Sequence, residues 1–572
     1  MNLRYLVFSL IAALTFALAA CIPTTSHNAD TPHAGADAGA PAALAQTPAD
    51  EPEASRAPRP DTERGIAAGQ AEPMPLQSIR SRLPPPGLPP PQIDNRENYA
   101  HYDDNPVHLA AEQPLSTFGL DVDTGSYTNV RRMLQGGRLP PADAVRAEEF
   151  LNYFDYDYPA PTDSTTPFRV TTELASAPWN PQRQLLLIGV QGYRVPTASI
   201  PAANLVFLVD VSGSMSAPDK LPLLKAGLKQ LVRQMRANDR IAIVTYAGNA
   251  GIALPSTRGN RQARILAAID TLQASGSTNG GAGIDLAYAE AMRHFVAGGV
   301  NRVILATDGD FNVGTTDIDA LKDRIADKRR SGIALDTLGF GQGNYNDAMA
   351  VALADTGNGS HHYIDSLDEA RRVLVQSMST TLLTIAADAK VQIEFNPALV
   401  REYRLIGYVK RVLRREDFNN DKIDAGDIGA GANVTALYEI TPMDSTAPRI
   451  DPLRFQPAQH TSSHESEMAW LRLRYKKPGE TQSRLVERAI TRTDSPDQGS
   501  ERLRFAAAVA AFAEALRHDS NIGTFTLTDI AKLARGARGD DADGRRAEFV
   551  RLVTLADSLR TPLADDTTAA LR

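Results

Sequence analysis

Between about residues 204 and 385 the chain alternates short, continuously apolar runs with stretches of helical periodicity, and few folds accommodate that alternation. Asn204–Asp210 reads NLVFLVD. A run that is apolar on both sides of the pleat suits a strand buried on both faces of a parallel sheet. Arg240–Tyr246 (RIAIVTY), Asn301–Thr307 (NRVILAT) and Gly332–Gly339 (GIALDTLG) have the same character. Helical spacing falls between them at Lys220–Arg236, Arg261–Leu272, Gly283–Phe295, Asp317–Arg330 and Ser366–Leu382. The pattern predicts a doubly wound α/β domain with a mostly parallel sheet over residues 201–385. In such sheets ligands bind beyond the carboxyl ends of the strands.

Three segments place oxygen ligands at that edge. Asp210-Val211-Ser212-Gly213-Ser214 leaves the first strand. Gly276-Ser277-Thr278-Asn279-Gly280-Gly281 opens a helix. Thr307-Asp308-Gly309 leaves another strand. Alternation in Asp-x-Ser-x-Ser aims three side chains to one side of the chain. Carboxylates and hydroxyls with no sulfur or imidazole among them suit a hard divalent cation, Mg²⁺ or Mn²⁺. Neutral hydroxyls leave most of the charge of such an ion uncompensated, so a carboxylate from outside could complete its coordination. The alternative is local: Ser212, Ser214 and Thr278 as helix caps and Asp308 as a turn residue.

Asp210, Ser212, Ser214, Thr278 and Asp308 resemble, position by position, the metal-ion-dependent adhesion site (MIDAS) of von Willebrand factor type A (VWA) domains. The resemblance implies direct ligation by Ser212, Ser214 and Thr278, with Asp210 and Asp308 acting through water. It also implies Mg²⁺ or Mn²⁺ as the ion and a protein ligand presenting an Asp or Glu.

The flanks extend it. STFGLDVDTGSYTNVRRMLQGGRLPPADAVRAEEFLNYFDYDYP, within residues 106–160, resembles the corresponding region of bacterial YfbK-type VWA lipoproteins. So do YRLIGYVKRVLRREDFNNDKIDAGDIGAGANVTALYEI, within 403–440, and the helical patterns of 501–560. Read from the residues, Phe168–Leu174, Leu185–Gly192, Lys390–Phe395, Arg404–Leu413, Asn433–Ile440 and Ala469–Tyr475 are strand-like. They predict a β-rich sandwich built from both flanks, residues 95–200 and 386–572, with the α/β domain inserted between them. The late helices should bury Phe505, Val509, Phe512 and Leu516 on one face.

The chain begins MNLRYLVFSLIAALTFALAAC. Arg4 and the apolar stretch Leu6–Ala20 read as a signal peptide over residues 1–20, too short for a stable span. Leu18-Ala19-Ala20-Cys21 resembles the bacterial lipobox, which implies cleavage before Cys21, its lipidation and a membrane anchor. Ile22 at the next position, rather than Asp, favours the outer membrane. Residues 21–94 contain no aromatic residue and 15 of the 37 prolines. Such a stretch cannot bury enough surface to offset its ordering entropy, and it reads as a tether.

Composition removes several classes of function. The one cysteine, Cys21, excludes intramolecular disulfides and thiolate metal clusters. A formal net charge of -8 without a long basic run disfavours nucleic acid as a partner, and a mean hydropathy of -0.27 disfavours a polytopic membrane protein. The acidic stretch 416–424 departs from a calcium-binding loop, with Lys422 and Ile428 where Gly and Glu are needed. It reads as a solvated turn. Asp123-Thr124-Gly125 and Asp355-Thr356-Gly357 match the Asp-Thr-Gly of aspartic peptidases, but Asp355 falls inside the α/β domain, away from any matching β-lobe. His464-Glu465-Ser466-Glu467-Met468 lacks the second histidine of a zinc peptidase, and His361-His362 reads as a surface pair. The expected function is non-enzymatic: metal-dependent protein binding at the cell envelope. The alternatives are an envelope scaffold whose ion is structural and, remotely, an aspartic-type peptidase.

Overall fold

The computed structural model describes residues 96–560, apart from 122, 278–279, 310–317, 378–382, 424, 452–465, 493–498 and 519. The expected signal peptide, Cys21 and tether lie outside the described residues, as does Thr278. No helix among the described residues is long and apolar enough to cross a membrane.

The α/β domain is built on a six-stranded sheet. Its order is His361–Ile364, Ala334–Phe340, Val300–Thr307, Ala203–Asp210, Arg240–Tyr246, Ala250–Arg258. Every pairing is parallel except the last. Helices Leu221–Gln234, Gln262–Thr271, Gly280–Arg293, Ile318–Arg329 and Asp347–Thr356 cover the two faces. In the central strand, Leu205, Phe207 and Val209 enter the core on one face and Val206 and Leu208 the core on the other. That two-sided burial is why NLVFLVD carries no polar alternation.

Helix Asp347–Thr356 and edge strand His361–Ile364 are not among the expected elements, and two further elements depart from expectation. Ala250–Arg258 is an antiparallel edge strand that the apolar pattern does not signal. It contains Gly251 and Pro255 and leaves Ile252 exposed, as an edge strand tolerates. Among the described residues, the expected helix Ser366–Leu382 is α-helical over Leu367–Arg371 and continues as a π-helix over Arg372–Ser377.

The flanks form two antiparallel sheets. One is ordered His108–Leu109, Val400–Ile406, Asn433–Pro442, Asn180–Gly192, Phe168–Ala177. The other is ordered Ile428–Gly429, Thr384–Phe395, Glu467–Lys476, Ser483–Thr491, with Leu115–Gly119 also paired to Thr384–Phe395. Leu186, Ile188 and Val190 of the first sheet meet Val391, Ile393, Leu471 and Leu473 of the second. Leu185 and Leu187 point the other way, into a helical layer. The first sheet is therefore buried on both faces, and its run Leu185–Val190 is apolar without a break.

Helix Glu501–Arg517 lies in that helical layer. Its Phe505, Val509, Phe512 and Leu516 are buried as expected, but so is every other residue from Phe505 to Leu516. One apolar face is too small a description. The many alanines allow close approach on all sides, by the sheet and by helices Ala147–Leu151, Leu527–Gly536 and Arg545–Arg560. Glu514 survives there because Arg404 grips it at 2.9 and 3.1 Å.

The expected strand Arg404–Leu413 stops at Ile406. Gly407 and Tyr408 adopt φ of 72° and 62°, the left-handed region that breaks a strand. A short 3-10 turn, Val409–Arg411, follows and turns Lys410 and Arg411 toward carboxylates.

The α/β domain is docked on the flanks by buried polar contacts. Helix Gly125–Gln135 covers the sheet edge at His361–Ile364, where Thr128 Oγ1 donates to the Tyr363 carbonyl at 2.7 Å. Asp123 Oδ1 accepts the His361 N–H at 2.7 Å. Arg146 holds Asp347 at 2.6 and 3.2 Å, and Arg131 holds Asp365. His361 is consequently fully buried, bonded through Nδ1 to Thr337 and Nε2 to Tyr345. The expected surface pair is not one, because the edge strand that carries it has a helix over it.

Candidate metal centre

The central strand delivers Asp210 to the carboxyl edge of the sheet between Arg240–Tyr246 and Val300–Thr307. The chain leaves that strand toward one side and later returns on the other, so Asp210 and Asp308 stand at the topological switch point. Both are fully buried. Asp210 Oδ1 accepts the Ser212 N–H at 2.8 Å, and Oδ2 faces the Tyr246 hydroxyl at 3.2 Å and the Thr307 hydroxyl at 3.5 Å. The turn after Asp210 brings Ser212 Oγ and Ser214 Oγ to 3.0 Å. Two backbone bonds knit this turn to the second segment, Gly213 N to Gly276 O at 3.0 Å and Ser275 N to Val211 O at 2.7 Å. The structure thus brings together four of the five expected residues.

Asp308 Oδ2 receives Lys220 Nζ at 2.8 Å, and Asn344 Nδ2 lies 3.4 Å from the same oxygen. Lys220, Asn344 and Tyr246 were not foreseen as site residues. Lys220 carried one usable signal. It opens helix Leu221–Gln234 at the N-cap, where Ser, Thr, Asp or Asn is favoured and a cation faces the positive end of the helix.

Electrostatics set Asp210 apart. Burial pushes its carboxyl up to about 6 against the hydrogen bonds from Ser212, and the negative charge of Asp308 adds to the rise. Among the described residues the centre holds two buried carboxylates and one ammonium, which pairs with Asp308. Converging hydroxyls beside two buried carboxylates, one of them paired to Lys220, fit a hard divalent ion. Among the described residues no group of three or more His, Cys, Asp or Glu side chains could hold a metal, and this donor set is half hydroxyl.

The other motifs are absorbed by ion pairs. Asp123 and Asp355 both approach Arg411, at 3.6 and 2.5 Å, and Asp123 also takes Lys410 Nζ at 2.6 Å. Burial alone would raise the Asp123 carboxyl, but Lys410 and Arg411 hold it well below the usual carboxylate range. Cations thus engage the carboxylates of both Asp-Thr-Gly motifs. In the acidic stretch Lys390 Nζ donates to the carbonyls of Asp417 and Asn420, and Arg474 pairs with Asp421. Asp424 lies outside the described residues.

Three family models match the chain: von Willebrand factor over residues 93–187, von Willebrand factor type A domain over 204–377, and Uncharacterized protein YfbK, C-terminal, over 380–559. All five candidate ligands fall within the second match. The chain is 50% identical over 469 residues to the uncharacterized protein YfbK of Escherichia coli K12, covering 81% of each. It is 25% identical over 259 residues to human inter-alpha-trypsin inhibitor heavy chain H3, covering 41% of this chain and 28% of that protein. Among solved structures, a von Willebrand factor type A protein from Catenulispora acidiphila aligns with a TM-score of 0.39 and 18% identity, over 68% of this chain and 89% of that one. Von Willebrand factor type A domains are in general adhesion or interaction modules rather than enzymes.

Proposed function

The chain belongs to the YfbK family of VWA-domain proteins, and from that premise we propose that it is a cell-envelope lipoprotein that binds a protein partner through a divalent metal ion. Ser212, Ser214 and Thr278 would hold Mg²⁺ or Mn²⁺ directly, with Asp210 and Asp308 acting through water. The ion supplies a Lewis-acidic position that an Asp or Glu of the partner completes. Cys21 would carry the lipid anchor, with Ile22 directing the protein to the outer membrane, and residues 22–94 would serve as its tether. The observation that carries the reading is the 3.0 Å approach of Ser212 Oγ and Ser214 Oγ beside buried Asp210 and Asp308 at the sheet switch point.

A second reading has one observation in its favour. Lys220 already neutralises Asp308, so an ion there could serve a scaffold by tightening the fold alone. Calorimetric titration of the full-length protein with Mg²⁺ and Mn²⁺, beside Asp210→Ala, tests the proposal. Saturable binding to one site, lost in a folded variant, is expected. No binding to wild type, or equal binding to the variant, overturns it. If a captured partner is held equally with and without chelator, the scaffold reading replaces it.

A further inference from the structure

Lys220 is not an ordinary surface lysine that happens to reach a carboxylate. Its side chain is 8% exposed and its partner Asp308 is fully buried. Nζ also sits 3.2 Å from Asn344 Oδ1. The stem runs in a slot against Gly341, where φ is 74° and a Cβ would come within 2.6 Å of Lys220 Cγ and 2.8 Å of Cδ. The residue occupies a helix N-cap that disfavours a cation. Slot, partner and unfavourable cap together mark a charge placed at the site rather than one accommodated there.

We infer that Lys220 is a fixed cation of the metal centre that weakens its hold on the divalent ion and strengthens the capture of a carboxylate by the loaded site. The inference rests on the metal-binding reading above. The charges explain it. Asp210, Asp308 and Lys220 sum to one negative charge. With a divalent ion these three groups become singly positive together, and one external carboxylate brings them to neutrality. Without Lys220 the loaded site would already be neutral and the incoming carboxylate would leave a buried negative charge. Like-charge repulsion between Lys220 and the ion is the cost of that arrangement, and attraction for the partner carboxylate is its benefit. The two effects have opposite signs, which a packing role for Lys220 would not produce.

The test uses full-length wild type, Lys220→Gln and Asn344→Asp. The last leaves Lys220 in place and sets a new carboxylate beside it, so it opposes the charge without emptying the slot. Mn²⁺ affinity is measured by calorimetry, acetate binding to the Mn²⁺-loaded protein by water-proton relaxation, and folding by thermal melting. Both variants should bind Mn²⁺ roughly tenfold more tightly and acetate roughly tenfold more weakly. If the variants bind Mn²⁺ and wild type does not, the metal-binding reading fails for this protein and the inference with it. If wild type binds Mn²⁺ and the variants bind both probes unchanged, or lose both in parallel, Lys220 is a packing residue and this inference alone fails. If none of the three binds Mn²⁺, the metal-binding reading fails and the inference with it.

Discussion

The substitution Asp210→Asn should stabilise the metal-free protein at neutral pH while abolishing its response to metal. Asp210 is fully buried, and its carboxyl is pushed up to about 6 from an ordinary value of 3.8. A group whose pKa is higher folded than unfolded contributes stability below the unfolded value and loses it as pH rises through the folded one. The ionised carboxylate therefore opposes folding above about pH 6. At about 1.4 kcal/mol per pH unit, the rise amounts to about 3 kcal/mol lost between pH 4 and pH 7. Asparagine removes the charge and keeps an acceptor for the Ser212 N–H. The assay is urea unfolding in chelator at pH 4.5 and pH 7.5. Wild type should be weaker at pH 7.5 by a margin on the order of 2–3 kcal/mol in the contribution of this group. The variant should lack that contribution and exceed wild type at pH 7.5. Metal should restore the wild type and leave the variant unaffected, because a bound cation removes the reason the carboxylate is strained. If Asp210→Asn is no more stable than wild type at pH 7.5 in chelator, Asp210 is adequately compensated without an ion. The electrostatic case for the centre then fails.

Arg146→Met leaves Asp347 and Glu149 buried without their guanidinium and should cost about 3–5 kcal/mol, read as a lower denaturation midpoint. The ion pair keeps the Asp347 carboxyl well below its ordinary value, so wild type loses stability as pH falls through the acid range, and the variant should lose less. Gly189→Ala drives a methyl into the Tyr158 ring, whose Cε2 would lie 2.7 Å away, and should cost about 1–3 kcal/mol in the same measurement. Asp123→Asn should lower the melting temperature by removing the charge that pairs with Lys410 and Arg411, while the amide oxygen still accepts the His361 N–H. It should leave any turnover of a peptide library unchanged, whereas a loss of turnover would revive the peptidase alternative.

What was legible in the sequence was whatever local burial encodes. Continuous apolar runs identified the central strands because both faces of the sheet are covered, and Asp210, Ser212, Ser214 and Asp308 could be placed because they follow strand ends within a few residues. The edge strand Ala250–Arg258 was silent because it buries little, and the strand from Arg404 was overextended because Tyr408, Val409, Val412 and Leu413 keep a strand-like composition past the turn at Gly407.

The sequence by itself determined the alternation that builds the sheet, the order of the candidate ligand segments and their resemblance to the site of one family. Only the tertiary structure decided which charges meet. Lys220 and Asp308 are 88 positions apart, Arg131 and Glu548 are 417 apart, and Phe505–Leu516 is buried on every face because three other helices and a sheet surround it. Apolar periodicity records how much of an element leaves water. The partner of a buried charge is chosen by geometry between distant segments, and no local pattern carries that choice.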